Sequence, residues 1–364
     1  MKILLLGFAK IKYMPYLHFY LDHIPQGHEI HVVYWNRDKK PEDISGFSQI
    51  HLHEFACYQE DNVSPILKVV SFAKYRRFVK GILDSHCFDF VICLHTFPCV
   101  LMQNELRTVY KCRYIFDYRD STYEHFTPFR KLIGGLVADS YATFVSSDGF
   151  RKLLPVSCES KIYTSHNLLL SSLAHRAEMI ESDAKYPKLR IGFWGYIREE
   201  KLNKHLIACV AKDQRFELHY YGKEQLIAQR LKQFAAELNA ENVCFHGEYS
   251  PEDRYEFAKN TDLLHNLYED PNMMMAVSNK YYDGLLFYLP QICTKESVMG
   301  EKVDAAGVGI TCYPYSDTIL NDLWDYYHGL NRNIFADNCD KTLNRILCEY
   351  HTGRKIIEDA LENK

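Results

Sequence analysis

The segment GYIREEKLNKHLI begins at Gly195, just after the apolar, strand-like run Leu189–Trp194, and places Arg198 and Lys201 at the entrance of the next helical stretch. A glycine lets a ligand approach the backbone closely, and two cations beside a helix N-terminus, with its partial positive charge, make an anion site. Further along, SNKYYDGLLFYLPQICT carries Lys280 and Asp283 one turn apart on one helix face. A lysine there can meet phosphate while the acid one turn on accepts hydrogen bonds from ribose hydroxyls. Each group also has a plainer reading: a solvated first turn in which Glu199 and Glu200 pair locally, and a surface ion pair of ~0.2–0.5 kcal/mol.

The first half offers a different chemistry. In YIFDYRDSTYEH, Asp117, Arg119 and Asp120 end a strand-like run, and Asp120 is placed to orient or deprotonate a hydroxyl, with His95 after the run Phe90–Leu94 as a second candidate. A structural salt bridge or hydrogen bond explains each of them equally well. His51, His53 and Glu54 have the types to share a metal ion, yet alternation along a strand accounts for the two histidines as readily, and no metal is expected.

Absent motifs narrow the field. Gly7 stands alone after the first apolar run, so there is no GxGxxG, and GxxxxGK[ST], GxSxG and HExxH are missing. No Asp-x-Asp pair is present to hold a divalent ion on a diphosphate, which leaves cationic side chains and helix N-termini to neutralise one.

The elements that must position these groups follow from periodicity. Strand-length apolar runs recur at Ile3–Phe8, Glu29–Trp35, Gln49–Leu52, Phe90–Leu94, Tyr114–Phe116, Thr143–Ser146 and Lys161–Tyr163, with helical spacing at Ile66–Leu83 and Phe129–Val137 between them. After a polar lapse at 171–188, read as a linker, alternation resumes with Leu189–Trp194, Glu217–Tyr221, Val243–His246, Leu263–Tyr268, Gln291–Thr294 and Gly309–Cys312, separated by helical stretches at Lys201–Lys212 and Lys223–Leu238. Strands alternating with helices wind parallel sheets. The expected fold is therefore α/β: two doubly wound Rossmann-like domains at 1–170 and 189–340, facing a cleft lined by strand-end loops, with a helical tail at 341–364.

The 364 residues suit two cores, and 47% hydrophobic with 25% charged residues is an ordinary globular composition. Residues 1–170 carry 20 Lys and Arg against 17 Asp and Glu, and 171–364 carry 23 against 30, too mild an asymmetry for nucleic-acid binding. Twelve scattered cysteines without a CxxC pair suit reduced thiols in a cytosol. The start, MKILLLGFAKIKYMPY, reads as a first strand, too short in its apolar run for a signal peptide or a membrane span. Ser64–Leu83 combines helical apolar spacing with Lys68, Lys74, Arg76, Arg77 and Lys80, which fits either an anionic membrane surface or a crossover helix with a solvated basic edge.

In order along the chain, Gly195 to Lys201, YYGKEQ with Gly222, VCFHGEYSPEDRYEFAKNTDLLHNLYEDP, SNKYYDGLLFYLPQI and AAGVGITCY resemble the C-terminal domain of GT4-type retaining glycosyltransferases of the GT-B architecture, over about residues 189–312. The resemblance implies that Gly195, Arg198 and Lys201 hold a donor diphosphate, that Lys280 and Asp283 hold phosphate and ribose, and that Gly222, Gly247, Glu248 and Tyr249 line the donor nucleotide. Tyr196 stands where the family's arginine usually follows the glycine, and Met275 where its earlier glutamate would fall. GHEIHVVYW and the D-x-R-D segment resemble the N-terminal domain more loosely. What the resemblance implies is metal-independent transfer of a sugar, with retention, from a nucleotide-sugar that is substrate rather than cofactor. The acceptor would be a polyprenyl-linked saccharide for capsule or lipopolysaccharide, met in the cytoplasm at the inner face of the membrane. A nucleotide-sugar 2-epimerase and a non-catalytic GT-B subunit are the alternatives.

Overall fold

The computed structural model describes residues 1–59, 64–179 and 187–362. The chain divides into two compact units, Met1–Asn167 with Cys348–Lys364, and Leu168–Leu347.

The first unit is built on seven parallel strands: β1 (Lys2–Leu6), β2 (Glu29–Asn36), β3 (His51–Ala56), β4 (Phe90–Leu94), β5 (Tyr114–Tyr118), β6 (Ala142–Val145) and β7 (Ile162–Thr164), ordered β3-β2-β1-β4-β5-β6-β7. The second has six: β8 (Leu189–Trp194), β9 (Phe216–Tyr221), β10 (Val243–Gly247), β11 (Leu263–Asn266), β12 (Gln291–Thr294) and β13 (Gly309–Cys312), ordered β10-β9-β8-β11-β12-β13 and again all parallel. Both windings reverse direction beside the first strand, between β1 and β4 and between β8 and β11. In doubly wound sheets that reversal opens a crevice at the carboxyl ends of the strands, where ligands bind.

Central strands such as β4 (FVICL) and β5 (YIFDY) are buried at every position, as a sheet covered by helices on both faces requires. In the second unit, Leu202, Leu206, Ile207 and Val210 of the helix Glu200–Val210 pack into a core with Ile191, Phe193, Leu218 and Leu263. A second core gathers Tyr281, Leu285 and Leu286 of the helix Asn279–Leu286 with Leu264 and Cys293.

Three expectations shift. The third strand starts at His51 and runs to Ala56, because its outward-facing histidines interrupt the apolar pattern that had marked only 49–52. Part of the proposed linker, Leu170–Met179, is a 3-10 helix whose Leu170 and Leu173 pack on the second unit's core, while 180–186 lie outside the described residues. The tail is one helix, Arg332–Glu362: Phe335, Cys339, Leu343 and Ile346 are buried in the second unit, whereas Tyr350 meets Phe19 edge-on in the first.

Gly353 seats that last stretch of helix. A Cβ at this position would come within 2.8 Å of the Phe19 ring and 3.3 Å of Phe144. Gly353→Leu is therefore expected to cost about 1–3 kcal/mol by overpacking, read as a lower urea midpoint with an unchanged slope; a midpoint equal to that of the parent protein would refute the packing argument.

Candidate donor and acceptor sites

In the second unit the expected anion-binding residues gather at the winding reversal. The strand β8 ends in Gly195, whose φ of +126° only glycine adopts readily, and the ladder continues past the strands through Gly195 N–H to the Tyr221 carbonyl (2.9 Å) and Gly222 N–H to the Gly247 carbonyl (2.8 Å). A Cβ on Gly222 would stand 2.2 Å from the Gly195 carbonyl oxygen, whereas the space over Gly195 and Gly247 is open. Two strand ends, at Gly195 and Gly247, thus present open backbone, while Gly222 is buried against Gly195.

The turn from Gly195 into the helix Glu200–Val210 is pinned from below by a residue that the sequence reading passed over. Asn203 is buried, and its amide donates to the carbonyls of Arg198 (2.7 Å) and Glu199 (3.0 Å). Its Oδ1 accepts from the Tyr220 hydroxyl (2.7 Å) and from His265 Nε2 (3.1 Å). His265 Nδ1 in turn accepts the Leu267 N–H (3.1 Å), which fixes the neutral Nε2–H tautomer. These bonds hold Glu199 in the left-handed region, φ 64°. The signal was present in the sequence: an asparagine on an otherwise apolar helix face, between Leu202 and Leu206.

The acids beside the cations are engaged elsewhere. Glu199 accepts the Asp270 N–H (3.1 Å), and Glu200 pairs with Lys204 (2.7 Å) and Arg230 (3.0 Å), so the local pairing that would have quenched Arg198 and Lys201 does not form. Arg198 is exposed, its guanidinium 5.0 Å from the Tyr196 ring centroid; Lys201 lies over the Tyr315 ring at 4.8 Å. Lys280 is 6% exposed, donates to the Tyr268 hydroxyl at 2.6 Å and sits 4.1 Å from the centroid of Phe193 in β8. Among the described residues none of the three has a carboxylate within ion-pair distance.

Asp283, in contrast, already holds two partners inside the protein. Its carboxylate is buried and takes the Trp194 indole N–H (2.8 Å) on one oxygen and Arg254 (2.8 Å) on the other. Lys280 and Asp283 do not pair with each other despite their spacing. Glu248 is exposed beyond Gly247; Tyr249 is half-buried against Phe257, and burial with the nearby Asp283 charge pushes its phenol up to about 12. Met275 ends the short helix Pro271–Met275.

In the first unit the D-x-R-D residues separate into two roles. Asp117 and Arg119 form a buried pair (2.7 Å), with Arg119 also donating to Asn167 and Ser165 (2.6 Å each) and lying over the Tyr16 ring at 3.9 Å. Asp120 instead reaches His95 Nε2 at 3.2 Å, so the two catalytic candidates are in contact, at the carboxyl ends of β5 and β4. His95 adopts φ +103°, a costly conformation for a side-chain-bearing residue, and its Nδ1 accepts the Phe97 N–H. Nε2 then carries the proton shared with Asp120. Glu54 lies on the opposite face of β3 from His51 and His53, accepting from Tyr34 (3.3 Å) and Asn36 (2.7 Å), so the expected metal trio does not assemble.

No protein-family model and no curated protein matches the chain. Among solved structures, it is similar over its whole length to a glycosyltransferase from Rickettsia africae ESF-5 (TM-score 0.69, 13% identity, 99% of that chain covered). It is equally similar to Anabaena HepE in complex with UDP and glucose (0.69, 13%, both chains fully covered). WaaG, a glycosyltransferase involved in lipopolysaccharide biosynthesis, gives 0.63 at 12% identity, again with both chains fully covered. The chain has the GT-B fold of these proteins, two Rossmann-like parallel-sheet domains.

The buried His265 supplies a pH test of the Asn203 knot. Burial, with a smaller contribution from the Lys280 charge, pushes its imidazole down to about 3. Since the unfolded value is about 6.5, the unfolded chain binds the proton first, so this stability is complete above ~6.5 and is lost as pH falls from there toward 3, at about 1.4 kcal/mol per pH unit. Between pH 7 and 5 the parent protein should lose about 2 kcal/mol more than His265→Gln, whose amide can still donate to Asn203. Parallel pH profiles would show that His265 is not buried neutral.

Proposed function

We propose that this chain is a glycosyltransferase: the second unit binds a nucleoside-diphosphate sugar, and the sugar passes to an acceptor hydroxyl served by the His95–Asp120 pair of the first. The observation that carries the reading is the set of three cations, Arg198, Lys201 and Lys280, without carboxylate partners beside the open backbone of Gly195. A diphosphate is the ligand whose charge and hydrogen-bonding oxygens such a set would neutralise. Anabaena HepE, which shares the fold, has been solved with UDP-glucose, and this makes UDP the first nucleotide to test.

In this reading the cations stabilise charge on the departing diphosphate, and the leaving group itself helps to take the acceptor proton, so that configuration is retained and neither a protein nucleophile nor a metal ion is required. The nucleotide lies over Gly222, Gly247, Glu248 and Tyr249, where Gly247 leaves open space and Glu248 is exposed. Asp283, with each oxygen already holding one donor, keeps Trp194 and Arg254 in place and has a lone pair on each oxygen left for a ribose hydroxyl. His95, whose Nδ1 faces the Phe97 N–H, and Asp120 orient the acceptor.

We further assign the acceptor to a lipid-linked saccharide, for a capsule-type or lipopolysaccharide-type product. The helix Pro65–Ser85 supports this: it buries Ser71, Tyr75, Val79 and Ile82 while leaving Leu67, Val69 and Val70 exposed beside Lys68, Lys74, Arg77 and Lys80, and Arg76 is taken by Glu105. No helix among the described residues is long and apolar enough to cross a membrane, so the contact would be peripheral. Met275, in place of an acid, favours a nucleotide-binding but non-catalytic subunit as the second reading.

Lys280→Met tests the donor site. A buried ammonium without an anion is costly, so the substitution should leave the unliganded protein at least as stable while weakening UDP binding by about tenfold or more, a loss of ~1.4 kcal/mol. UDP affinity unchanged in Lys280→Met and in Lys201→Ala would sink the site. Asp120→Asn should retain UDP affinity and lower turnover about 10²-fold or more; UDP binding by the parent protein without turnover of any UDP-sugar would select the non-catalytic reading.

A further inference from the structure

At the opposite end of the first sheet from the His95–Asp120 pair, the first residues of β2 and β3 bring Glu29, His31 and His51 together. Glu29 and His31 are two apart on β2 and so share a face, and His31 stands directly across from His51 in the parallel register. His31 Nε2 lies 2.8 Å from Glu29 Oε1, the two imidazoles stack with centroids 4.6 Å apart, and one ligand atom from each of the three residues falls within 4.8 Å of the others. We propose that Glu29, His31 and His51 form a binding site for a divalent transition-metal cation of the zinc class, clamping the edge strand β3 to β2.

The donor set is two imidazole nitrogens and one carboxylate oxygen, which suits zinc and its neighbours and leaves a fourth position for water. A tetrahedral ion with bonds of about 2.0–2.2 Å holds its ligand atoms roughly 3.3 Å apart, so the trio, whose ligand atoms lie within 4.8 Å of one another, needs to draw in by at most about 1.5 Å. That adjustment falls to His51 and Glu29, which are both exposed, while His31 is buried and fixed. Burial of His31 is what distinguishes the site from a chance surface cluster. Its ring is held edge-on by His86 and Phe88, at 5.1 Å each, and its second nitrogen, Nδ1, lies 2.8 Å from His53 Nε2. With a cation on Nε2, the Nδ1–H donates to His53, the outer hydrogen bond that orients metal-bound imidazoles and strengthens them as ligands.

The Lys2 ammonium, 3.0 Å from the same Glu29 Oε1, competes with the ion for this oxygen. That gives the assignment a signature no loose surface site would share: removing Lys2 tightens binding, and removing either exposed ligand weakens it. The second unit carries a useful internal control: His219 Nδ1 and His246 Nε2 are also paired at 3.0 Å and Glu217 lies 3.5 Å from His219 Nε2, but these three do not come within 4.8 Å of one another as Glu29, His31 and His51 do.

The test is a titration of the purified full chain with Zn²⁺ by calorimetry, repeated with Co²⁺ to read coordination from its visible absorption. One ion per chain is expected. His51→Ala and Glu29→Gln, both at exposed positions and so able to fold, should each weaken it about tenfold or more. Lys2→Met should tighten it, and His246→Ala should leave it unchanged. The proposal is overturned by a parent protein that takes up no Zn²⁺, by affinity undiminished in His51→Ala and Glu29→Gln, by Lys2→Met failing to tighten binding, or by a loss of binding in His246→Ala alone.

Discussion

A lysine ammonium buried without a carboxylate is the constraint on which the second unit's ligand-binding end depends. Removing an ammonium ion from water costs several kcal/mol even after relaxation, and the groups that receive Lys280 return only part of that: one neutral hydroxyl at 2.6 Å and the face of Phe193. Evolution readily replaces such a charge by an apolar side chain when it serves stability alone. Here the nearest acid on the same helix, Asp283, is turned away and given to Arg254 and Trp194, so the fold spends an available partner on a different pair. Lys280 is thereby left without a carboxylate partner among the described residues.

The same separation of charges recurs on the neighbouring loop and has a backbone cause. Glu199 sits at the entrance of the helix Glu200–Val210 in the left-handed region, which directs its side chain to the Asp270 N–H and away from Arg198 and Lys201. That conformation is stable because Asn203 takes two carbonyls of the turn and is itself held by Tyr220 and by His265. Binding geometry at Gly195 is therefore set by an amide buried one turn into the helix, and by an imidazole on β11 that must remain neutral. Protonated His265 would offer two donors where one donor and one acceptor are needed.

Much of the fold was legible because parallel strands covered on both faces are written as unbroken apolar runs: β4, β8, β12 and β13 begin and end where the sequence pattern does. β3 was not, since an edge strand with histidines on its outer face carries no such run, and the helical tail was legible but not its start at Arg332. Residue types and order singled out Gly195, Lys201, Lys280, His95 and Asp120 one by one, whereas the contact between His95 and Asp120 appears only once β4 and β5 pair. Spacing could not reveal which carboxylates the cations lack, because Lys280 and Asp283 at three residues apart read as an ion pair. Nor could it find Glu29 beside His31 and His51, whose proximity exists only after β2 and β3 pair in register.

Net charge by half does not follow where unpaired cations lie. Residues 1–170 are the more basic half, yet Arg119 at the carboxyl end of β5 is buried against Asp117, and Arg76 is paired with Glu105. Residues 171–364 carry seven more acids than bases, but the acids nearest the reversal between β8 and β11 point elsewhere. Arg198, Lys201 and Lys280 keep no carboxylate partner among the described residues, whereas surplus acids on a solvated surface are screened beyond about 10 Å. Two sheets wound in the same order thus present opposite chemistry at equivalent places. The first holds an imidazole in contact with a carboxylate, and the second holds cations that lack a carboxylate partner among the described residues. What separates them is which side chains the turns leave unpaired, a property that neither fold nor composition determines.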